Sequence, residues 1–563
     1  MADILMGMNE FETSIEEVIP QIVSDVLLSR KMNIPEMQTF LYPDYDEHLH
    51  DPLLLLDMDK AVERIGVARE RRERVAIYGD YDIDGITASA VMLETMASLG
   101  IYAESYIPDR FEEGYGINLI ALKTLKERNF DLVISVDCGI TSVAEAAWAQ
   151  EHGLDLIITD HHNVPKVIPD AIAVINPHRL NDPYPFKDLA GVGVAFKLAQ
   201  ALQIQFGLPL QGQEKWMLDL VALGTVCDVV PLVGENRVLV SYGLKVLHQT
   251  RRVGIRELAL IGRTTPAELT SYHLGFVLGP RMNAAGRLEH AARSLELMLT
   301  KDVLRARAIA EELDFLNEQR KADQKRIFEE AEVKAEQYIN DPILLLNGND
   351  WSHGVVGIVA SKLVDRHHKP VLVAQEIGDK TKGSGRSVPG FNLVVALRSA
   401  ESLFDKFGGH YFAAGFTLPS ENMPALRKAL NLYATHNPPA PFSDDLLTEI
   451  TLDDLENVEW ELLDDIAMLE PFGSGNVRPL LRIVNLRVVD LRAIGQDKTH
   501  LRLTLADQKQ RRLACVAFGL AKTYSSLVSG DYIDVIGNLS KNEYNGSSTI
   551  QLMIEKIVYA ENI

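Results

Sequence analysis

The amino-acid sequence predicts an α/β protein with a parallel-sheet domain, a long connecting helix, a smaller α/β domain and an all-β C-terminal domain. Three observations predict this fold class. Short apolar runs alternate with amphipathic stretches over residues 74–177, as in βαβ units around a parallel sheet. Residues 302–338 contain no Gly or Pro and are densely charged, which indicates one long helix. Residues 474–563 carry short alternating patterns, which are typical of a small barrel.

The first domain is predicted from three strands and three helices that alternate along the chain. The strands are Val75–Tyr78, Leu132–Val136 and Leu156–Thr159, and the helices are Ile86–Leu99, Leu119–Arg128 and Val143–His152. Each strand is followed by acidic or histidine residues. Because ligands of such sheets bind beyond the carboxyl ends of the strands, these polar residues indicate a functional site.

The connecting segments follow from composition and charge. The middle of the long helix, residues 317–326, lacks an apolar stripe, so we expect a solvated bridge between two domains. A strand beginning at Ile343 opens the second α/β unit, and the Pro-rich stretch Asn437–Pro441 ends it. Residues 442–473 then hold eleven acids and no Lys or Arg. We predict six segments: 1–60, 61–300, 301–340, 341–436, 437–473 and 474–563.

The C-terminal segment is predicted to be an OB-fold-like barrel. Leu501, Leu503 and Leu505 alternate with polar residues, and Asn545-Gly546 is a hairpin turn signal. Twelve basic and eight acidic residues give residues 474–563 a net charge of +4, which suits single-stranded nucleic acid. Its tyrosines, Tyr524, Tyr532 and Tyr544, are candidates for base stacking, with packing in the barrel as the alternative.

Length and composition favour a globular protein of three or four domains. The chain has 563 residues, 47% of them hydrophobic and 24% charged, which excludes collagen, disordered and disulfide-rich proteins. No apolar run reaches the length of about 18 residues that spans a membrane. With three cysteines and no basic, apolar leader, we expect a cytoplasmic protein without membrane association. The net charge of −23 disfavours nucleic-acid binding by the surface as a whole, but leaves local basic surfaces open.

Three carboxylates follow the first predicted strand. Asp80, Asp82 and Asp84 alternate in the segment Gly79–Gly85, and alternation could place them on one side of an extended loop. Clustered carboxylates repel one another unless a cation neutralises them. An EF-hand is excluded, because position 12 counted from Asp80 is Val91, where that loop needs a bidentate Glu.

More candidate ligands follow later elements. Asp137 follows the second strand, Asp160-His161-His162 follows the third, and Asp228 follows a helix-like stretch. Carboxylates with imidazole suit Mn²⁺ or Mg²⁺, and no cysteine spacing indicates structural zinc. Five or more ligands exceed the need of one ion, so we predict two divalent cations, which suit phosphodiester hydrolysis. The segment Gly191–Ala195 resembles a dinucleotide-binding loop, but no clear strand precedes it, so we expect close backbone packing there.

Together these motifs resemble the DHH phosphoesterase superfamily and, within it, the RecJ family of single-stranded-DNA exonucleases. The Asp-His-His motif and the upstream Asp-x-Asp-x-Asp-Gly motif carry the first resemblance. The second rests on Gly279–Arg287, Ser384–Ser387, Gly408–His410 and Ala413–Gly415, which occur in this order. The resemblance implies a DHH catalytic domain at 61–300, a DHHA1 domain at 341–436 and a C-terminal OB-fold.

The resemblance also implies the roles of site residues. The metal ligands are Asp82, Asp84, Asp137, His161 and Asp228, with Asp137 bridging the ions. The residues expected to act in catalysis are Asp80, Asp137, His162 and His410. Many relatives begin the first motif with His where this chain has Tyr78, and Asp80 is the candidate substitute ligand.

Phosphate contacts are expected from three arginines in Gly- and Ser-rich loops, because a guanidinium can grip phosphate through two hydrogen bonds. The nucleic-acid and phosphate candidates are Arg110, Arg281, Asn283, Arg287, Ser384, Arg386, Ser387 and His410. The resemblance places His410 at the scissile phosphate and Arg110 at the 5′ end of the strand.

The activity that the resemblance implies is 5′→3′ hydrolysis of single-stranded DNA to 5′-mononucleotides, in DNA repair and recombination. It also implies cooperation with single-strand-binding protein and a RecQ-type helicase, and we expect a monomer. Two alternatives stay open. One is another DHH enzyme, such as a short-oligonucleotide phosphodiesterase or an inorganic pyrophosphatase, although these are much shorter and lack the barrel. The other is a non-catalytic scaffold, although such members can lose ligands and this chain has the full set.

Overall fold

The computed structural model describes residues 19–109, 113–114, 116–288, 291–442, 446–544 and 546–559. Its main helices are α1 (Gln21–Ser29), α2 (Ile34–Leu41), α3 (Met58–Arg71), α4 (Ile83–Ser98), α5 (Leu119–Glu127), α6 (Val143–Glu151), α7 (Gly191–Phe206), α8 (Leu218–Cys227), α9 (Gly234–His248), α10 (Val253–Ile261), α11 (Gly279–Leu288), α12 (Ala292–Leu299), α13 (Val303–Glu336), α14 (His353–His367), α15 (Leu393–Arg398), α16 (Met423–His436) and α17 (Trp460–Ala467). Within the described ranges, none of the helices has the length and apolarity needed to cross a membrane.

The bounds of the three strands predicted for the first sheet agree with the structure to within a residue, and the strand predicted to begin at Ile343 begins at Leu344 and extends to Gly348. The described strands form three sheets. They are β1 (Val75–Gly79), β2 (Ala103–Tyr106), β3 (Leu132–Val136), β4 (Asp155–Thr159), β5 (Ala173–Ile175), β6 (Leu344–Gly348), β7 (Val371–Ile377), β8 (Lys380–Arg386), β9 (Lys406–Gly409), β10 (Ala413–Pro419), β11 (Ile450–Leu452), β12 (Leu481–Ile494), β13 (His500–Ala506), β14 (Arg512–Ala517), β15 (Tyr532–Tyr544) and β16 (Ser547–Tyr559).

The first sheet is entirely parallel, as predicted, with the strand order β2-β1-β3-β4-β5. Strands β1 and β3 are buried along their whole length, because helices cover both faces of such a sheet. The strand order reverses between β1 and β3. Ligands of doubly wound sheets bind at this switch point, beyond the carboxyl ends of the strands, so the topology itself places a site after β1 and β3.

The segment after β1 is not the extended loop that we predicted. Helix α4 begins at Ile83, so that Asp82 is its N-cap residue and Asp84 lies in its first turn. Asp82 accepts a hydrogen bond from the backbone N–H of Gly85 at 3.1 Å. A Cβ atom at Gly85 would lie 2.5–2.7 Å from the backbone of Asp80. The chain therefore turns back tightly over the end of β1, which only glycine permits.

The long helix is present as α13, whose 34 residues span about 51 Å at 1.5 Å per residue. The predicted solvated middle is wrong. Asn317, Arg320 and Gln324 occupy one face at spacings of three and four residues, and all three are buried. Arg320 donates to Asn317 Oδ1 at 3.0 Å and to Gln324 Oε1 at 3.2 Å. An apolar pattern could not reveal this face, because its buried groups are polar and Arg320 joins them by hydrogen bonds.

The second α/β domain has a mixed sheet with the order β6-β7-β8-β10-β9. Two motifs predicted to be loops are regular elements. Ser384 and Arg386 lie on β8, and Gly279–Leu288 is the helix α11. A Cβ at Gly279 would lie 2.7 Å from the Cys227 sulfur, and one at Gly286 would lie 2.9 Å from the Tyr81 carbonyl oxygen. These glycines serve close packing of a helix, which a sequence pattern does not distinguish from loop flexibility.

The C-terminal barrel follows the prediction. Strand β12 pairs with β11, β13 and β15, and the leucines at 501, 503 and 505 face the core. The hairpin joins Tyr544 to Ser547, and Asn545 of the predicted turn lies outside the described residues. Helices α1 and α2 share the apolar core of the barrel through residues such as Val23 and Phe40. The first and last parts of the chain therefore pack together.

Candidate metal centre

The carboxyl edge of the first sheet gathers the predicted ligands. The Nε2 atom of His161 lies 3.2 Å from Asp137 Oδ1, 3.6 Å from Asp228 Oδ2 and 3.8 Å from Asp84 Oδ2. Asp80, Asp82 and Asp137 form a second group, in which one carboxylate oxygen of each residue lies within 4.8 Å of the other two. His161 and His162 form a further group with Asp137. Asp137 thus belongs to two of the three groups of potential ligands.

The residues fit a divalent cation by an independent test. Asp137 Oδ1 and His161 Nε2 are buried, and neither forms a hydrogen bond within the described part of the chain. A buried polar atom without a partner costs about 1–3 kcal/mol. Asp137 also adopts a left-handed backbone conformation with φ 61°, which is uncommon for a residue other than glycine. A cation would satisfy both atoms, and carboxylates with imidazole are the donors that Mn²⁺ and Mg²⁺ accept.

The N-terminus of α7 holds one ligand in place. The two carboxylate oxygens of Asp84 accept hydrogen bonds from the backbone N–H groups of Gly191 and Val192, at 2.6 and 2.8 Å. A Cβ atom at Gly191 would lie 2.5 Å from Asp137 Oδ1. The close backbone packing predicted for Gly191–Ala195 is therefore present, and it lies directly at the metal centre. Sequence reasoning missed this contact with the metal ligands, since a Gly-x-Gly pattern does not indicate which residue packs against it.

Burial and mutual repulsion favour the protonated, neutral forms of the carboxyl groups in this cluster. Burial, and next the charge of Asp82, raises the pKa of Asp84 to about 7. Burial, and next the charge of Asp84, raises the pKa of Asp228 to about 9 and that of Asp137 well above its usual value. Burial lowers the pKa of His161 to about 4, with the neighbouring His162 adding to the effect. His161 is thus neutral near pH 7, which is the form that binds metal.

Asp160 orients the two histidines, although sequence reasoning gave it no separate role. Its Oδ1 accepts hydrogen bonds from the backbone N–H groups of His161 and His162, at 2.7 and 3.0 Å, and lies 2.7 Å from His162 Nδ1. Burial opposes ionisation of Asp160, but the hydrogen bond and charge of His162 lower its pKa. Burial likewise opposes protonation of His162, but the hydrogen bond to Asp160 raises its pKa. The position of Asp160 directly before two histidines was the sequence feature that could have indicated this role.

Tyr78, which directly precedes the acidic segment, points into the protein. Its hydroxyl donates to the Gly116 carbonyl at 2.9 Å, and its ring stacks on Tyr106 with a centroid distance of 5.3 Å. It is fully buried among the apolar residues on one side of the sheet. Asp80, by contrast, belongs to one of the groups that could hold an ion.

The phosphate candidates are distributed over two domains. Arg281 pairs with Asp314 at 2.8 Å, and Arg287 donates to the Gly354 carbonyl of α14 at 3.0 Å. Arg386 donates to Ser384 Oγ at 2.9 Å. Arg386 and Ser384 both face Gly357 of α14, where a Cβ would approach them to 3.3 and 3.1 Å.

The remaining candidates differ in how exposed their polar groups are. Ser387 Oγ donates to the Phe391 carbonyl at 2.6 Å, so its hydroxyl supports a turn in this structure. His410 is exposed. Arg110 lies outside the described residues, while Asn283 lines the large cavity described next.

A cavity of about 1220 Å³ opens beside the ligand cluster. It lies between the first domain, α13, α17 and the barrel. Cys227, directly before Asp228, lines it together with Asn283, Arg287 and Arg320. Sequence reasoning missed Arg320, because the polar residues around it predicted a solvent-exposed part of the long helix. The cavity provides space for a ligand much larger than an ion next to the metal centre.

Comparison with known proteins places all three folded units in described families. Residues 74–225 match the model of the DHH family, N-terminal domain. Residues 337–435 match the DHHA1 domain, and residues 450–556 match the RecJ OB domain. A Bacillus subtilis (strain 168) protein named single-stranded-DNA-specific exonuclease RecJ is 39% identical over 549 residues, covering 96% of this chain and 68% of that protein.

Solved structures agree with these matches. A crystal structure of RecJ in complex with Mn²⁺ from Thermus thermophilus has a TM-score of 0.83 and 29% identity, covering 97% of this chain and 77% of that one. A second structure of RecJ from the same organism, in complex with Mg²⁺, has a TM-score of 0.74 and 27% identity, with coverages of 96% and 75%. The similarity therefore extends over nearly the whole described fold.

Proposed function

The chain belongs to the RecJ family of the DHH superfamily, and from this premise we propose that it is a metal-dependent exonuclease specific for single-stranded DNA. It hydrolyses phosphodiester bonds in the 5′→3′ direction and releases 5′-mononucleotides. The observation that carries the proposal is the ligand cluster around Asp137, in which two buried polar atoms lack hydrogen-bond partners within the described residues.

Two divalent cations, Mn²⁺ or Mg²⁺, are the proposed cofactors. Their ligands are Asp82, Asp84, Asp137, His161 and Asp228, with Asp80 in the place of the histidine found in relatives. When bound, such ions activate water and neutralise charge on the reacting phosphate. The placement of Asp137 in two of the ligand groups supports its bridging role.

The protein's own groups bind and orient the strand. His162, whose protonated form is favoured by Asp160, offers a positive charge to a phosphate oxygen at the edge of the cluster. Arg281, Arg287 and Arg386, with the nearby serines, hold phosphates of the strand by charge-assisted hydrogen bonds. In this proposal Arg110 contacts the 5′ end of the strand, and His410 contacts the scissile phosphate. Holding the strand fixes which bond faces the metal centre.

The wider role is proposed from the family alone. The enzyme acts in the cytoplasm as a monomer in DNA repair and recombination, together with single-strand-binding protein and a RecQ-type helicase. The OB-fold domain, which is matched over residues 450–556 and so begins before the predicted segment 474–563, guides the single strand. The six predicted segments remain the working division of the chain for truncation experiments.

The test uses single-stranded DNA labelled at either end, with Mn²⁺ and a duplex control. We expect immediate release of a 5′-labelled mononucleotide, gradual shortening of the 3′-labelled strand, little cleavage of duplex, and no cleavage with EDTA. Release from the 3′ end would contradict the direction. Cleavage restricted to very short oligonucleotides would favour the short-oligonucleotide phosphodiesterase, and no cleavage of any substrate would favour a scaffold.

The bridging role of Asp137 is tested with the variant Asp137→Asn, which keeps the side-chain shape and tolerates the left-handed backbone. We expect the rate to fall by at least about 10³-fold, since activation of water by metal is lost. The apoprotein should unfold at the same or a higher temperature, because one repelling carboxylate is removed. A near-normal rate would refute the bridging role of Asp137.

A further inference from the structure

Two neighbouring aromatic side chains, Tyr272 and Phe276, are exposed on the wall of the large cavity. Tyr272 and Phe276 have exposed fractions of 62% and 71%. Their rings stack with a centroid distance of 5.1 Å and an angle of 25°. Phe276 lies in the π-helical turn Leu274–Leu278, a type of turn that is frequent at functional sites. An exposed apolar pair of this kind indicates a binding surface.

Both rings line the cavity that opens beside the metal centre. The cavity reaches Cys227, which directly precedes the ligand Asp228, and its opposite side is formed by α17 and the barrel. Trp460 of α17, with an exposed fraction of 43%, lines the same space. A ligand that extends from the metal centre through this cavity would therefore pass over aromatic side chains.

The charge of the cavity identifies the kind of ligand. Its charged lining residues are Arg287, Arg320, Arg478, Lys541, Asp464 and Glu470. The four basic and two acidic lining groups sum to +2, although Lys541 also pairs with Glu543 at 2.6 Å and the whole chain carries −23. Arg320 forms no ion pair within 4 Å in the described part of the chain; its guanidinium contacts the neutral amides of Asn317 and Gln324. Aromatic surface beside positive charge suits a polyanion that also carries aromatic rings.

We infer that Tyr272 and Phe276 form a platform on which bases of the single strand stack as it runs towards the metal centre. The inference rests on the proposed function and adds the residues that contact bases. The barrel tyrosine Tyr524 is less suited to this task. Tyr524 accepts a hydrogen bond from the Ile557 backbone at 2.9 Å and packs against the barrel core. Stacking uses the faces of the bases, so the platform accepts any sequence.

The experiment compares binding of two short 5′-phosphorylated single strands to the full chain in EDTA, which prevents hydrolysis. One strand carries normal bases, and the other carries abasic residues at the positions that lie in the cavity. The variants are Tyr272→Ala and Phe276→Ala. The conservative variants Tyr272→Phe and Phe276→Tyr keep the rings, and Phe315→Ala removes an equally exposed ring of α13 (63%) that does not line the cavity.

We expect each alanine variant to bind the normal strand about 5- to 100-fold more weakly, since one stacking interaction is lost. Binding of the abasic strand should be unchanged, and so should the salt dependence, because no phosphate contact is removed. The conservative variants and Phe315→Ala should bind like wild type. A strand with 2-aminopurine in the cavity should lose fluorescence on binding to wild type and less so with the alanine variants.

Three results would overturn the inference. Equal weakening for the normal and abasic strands would mean that the rings act by shaping the cavity. Unchanged binding together with lost stimulation by single-strand-binding protein would make this a protein-docking surface. Unchanged binding and unchanged activity would leave the rings without a role in recognition. If wild type itself neither binds nor degrades single strands, the proposed function fails first.

Discussion

Individual side chains at the metal centre carry protonation states set by their neighbours. Burial and the charge of nearby acids raise the pKa of Asp84 to about 7 and that of Asp228 to about 9. Without a cation, the folded protein therefore binds more protons at this site than the unfolded chain does. By linkage, these two groups lower the stability of the apoprotein as pH rises from about 4 to about 9.

Cation binding is expected to release protons near neutral pH, because the ligands must ionise to bind. Calorimetric titration with Mn²⁺ at pH 7, in buffers of different ionisation enthalpy, measures the number released. Asp228→Asn should release fewer protons, while Asp59→Asn, an exposed change on α3, should match wild type. The affinity should increase as pH rises towards 9. Identical heats in all buffers would contradict the raised pKa values.

At the scale of elements, the metal centre depends on how closely α7 approaches β3. The first two N–H groups of α7 bind Asp84, and Gly191 leaves room for the carboxylate of Asp137. Such outer contacts commonly change metal affinity by 10- to 100-fold when they are removed. The helix end thus acts as part of the site even though it supplies no ligand.

Gly191→Ala should weaken Mn²⁺ binding by at least about tenfold, because the new Cβ would lie 2.5 Å from Asp137 Oδ1. The matched control is Gly193→Ala on the same helix. There the nearest atom to a new Cβ is a terminal methyl carbon of Leu189 at 3.3 Å, which can move. Metal titration and thermal unfolding of both variants check this. Equal affinities for the two variants would contradict the role of Gly191.

At the scale of the whole molecule, one buried arginine joins three parts of the chain. Arg237 of α9 donates to the carbonyl oxygens of Phe40, Leu469 and Glu470, at 2.6, 3.1 and 2.7 Å. Its guanidinium also lies 3.6 Å from the centroid of the Phe40 ring. Burial lowers its pKa to about 9. The N-terminal helices and the segment between β11 and β12 of the barrel are thereby attached to the catalytic domain.

Arg237→Met should loosen this attachment. Hydrogen bonds to a charged group contribute about 1.5–3 kcal/mol each, and the substitution removes Arg237 as a donor to three carbonyl groups, of which that of Leu469 keeps Asn476 Nδ2 as a donor at 2.8 Å. We expect an earlier thermal transition and faster cleavage by trypsin between the domains. Arg478→Met is the control, since Arg478 forms an exposed pair with Glu470 worth at most about 1 kcal/mol. Similar behaviour of both variants would contradict the attachment role.

The sequence by itself determined the fold class, the strands of the first sheet, the long helix, the barrel and the residues at the strand ends. These features are local: period-two and period-3.6 patterns and turn residues lie within short windows. The convergence of Asp80, Asp137 and His161 could also be predicted, because the carboxyl ends of parallel strands meet at one edge.

Only the tertiary structure decided the contacts between segments distant in the chain. It placed Gly191 and Val192 against Asp84, buried the polar face around Arg320, and brought Tyr272 and Phe276 to the cavity shared with the barrel. It also turned Asp82 and Asp84 into a helix start, because Gly85 packs against the end of β1. Such contacts depend on the packing of whole elements, and a pattern of residue types carries no information about which distant partner satisfies a buried polar group.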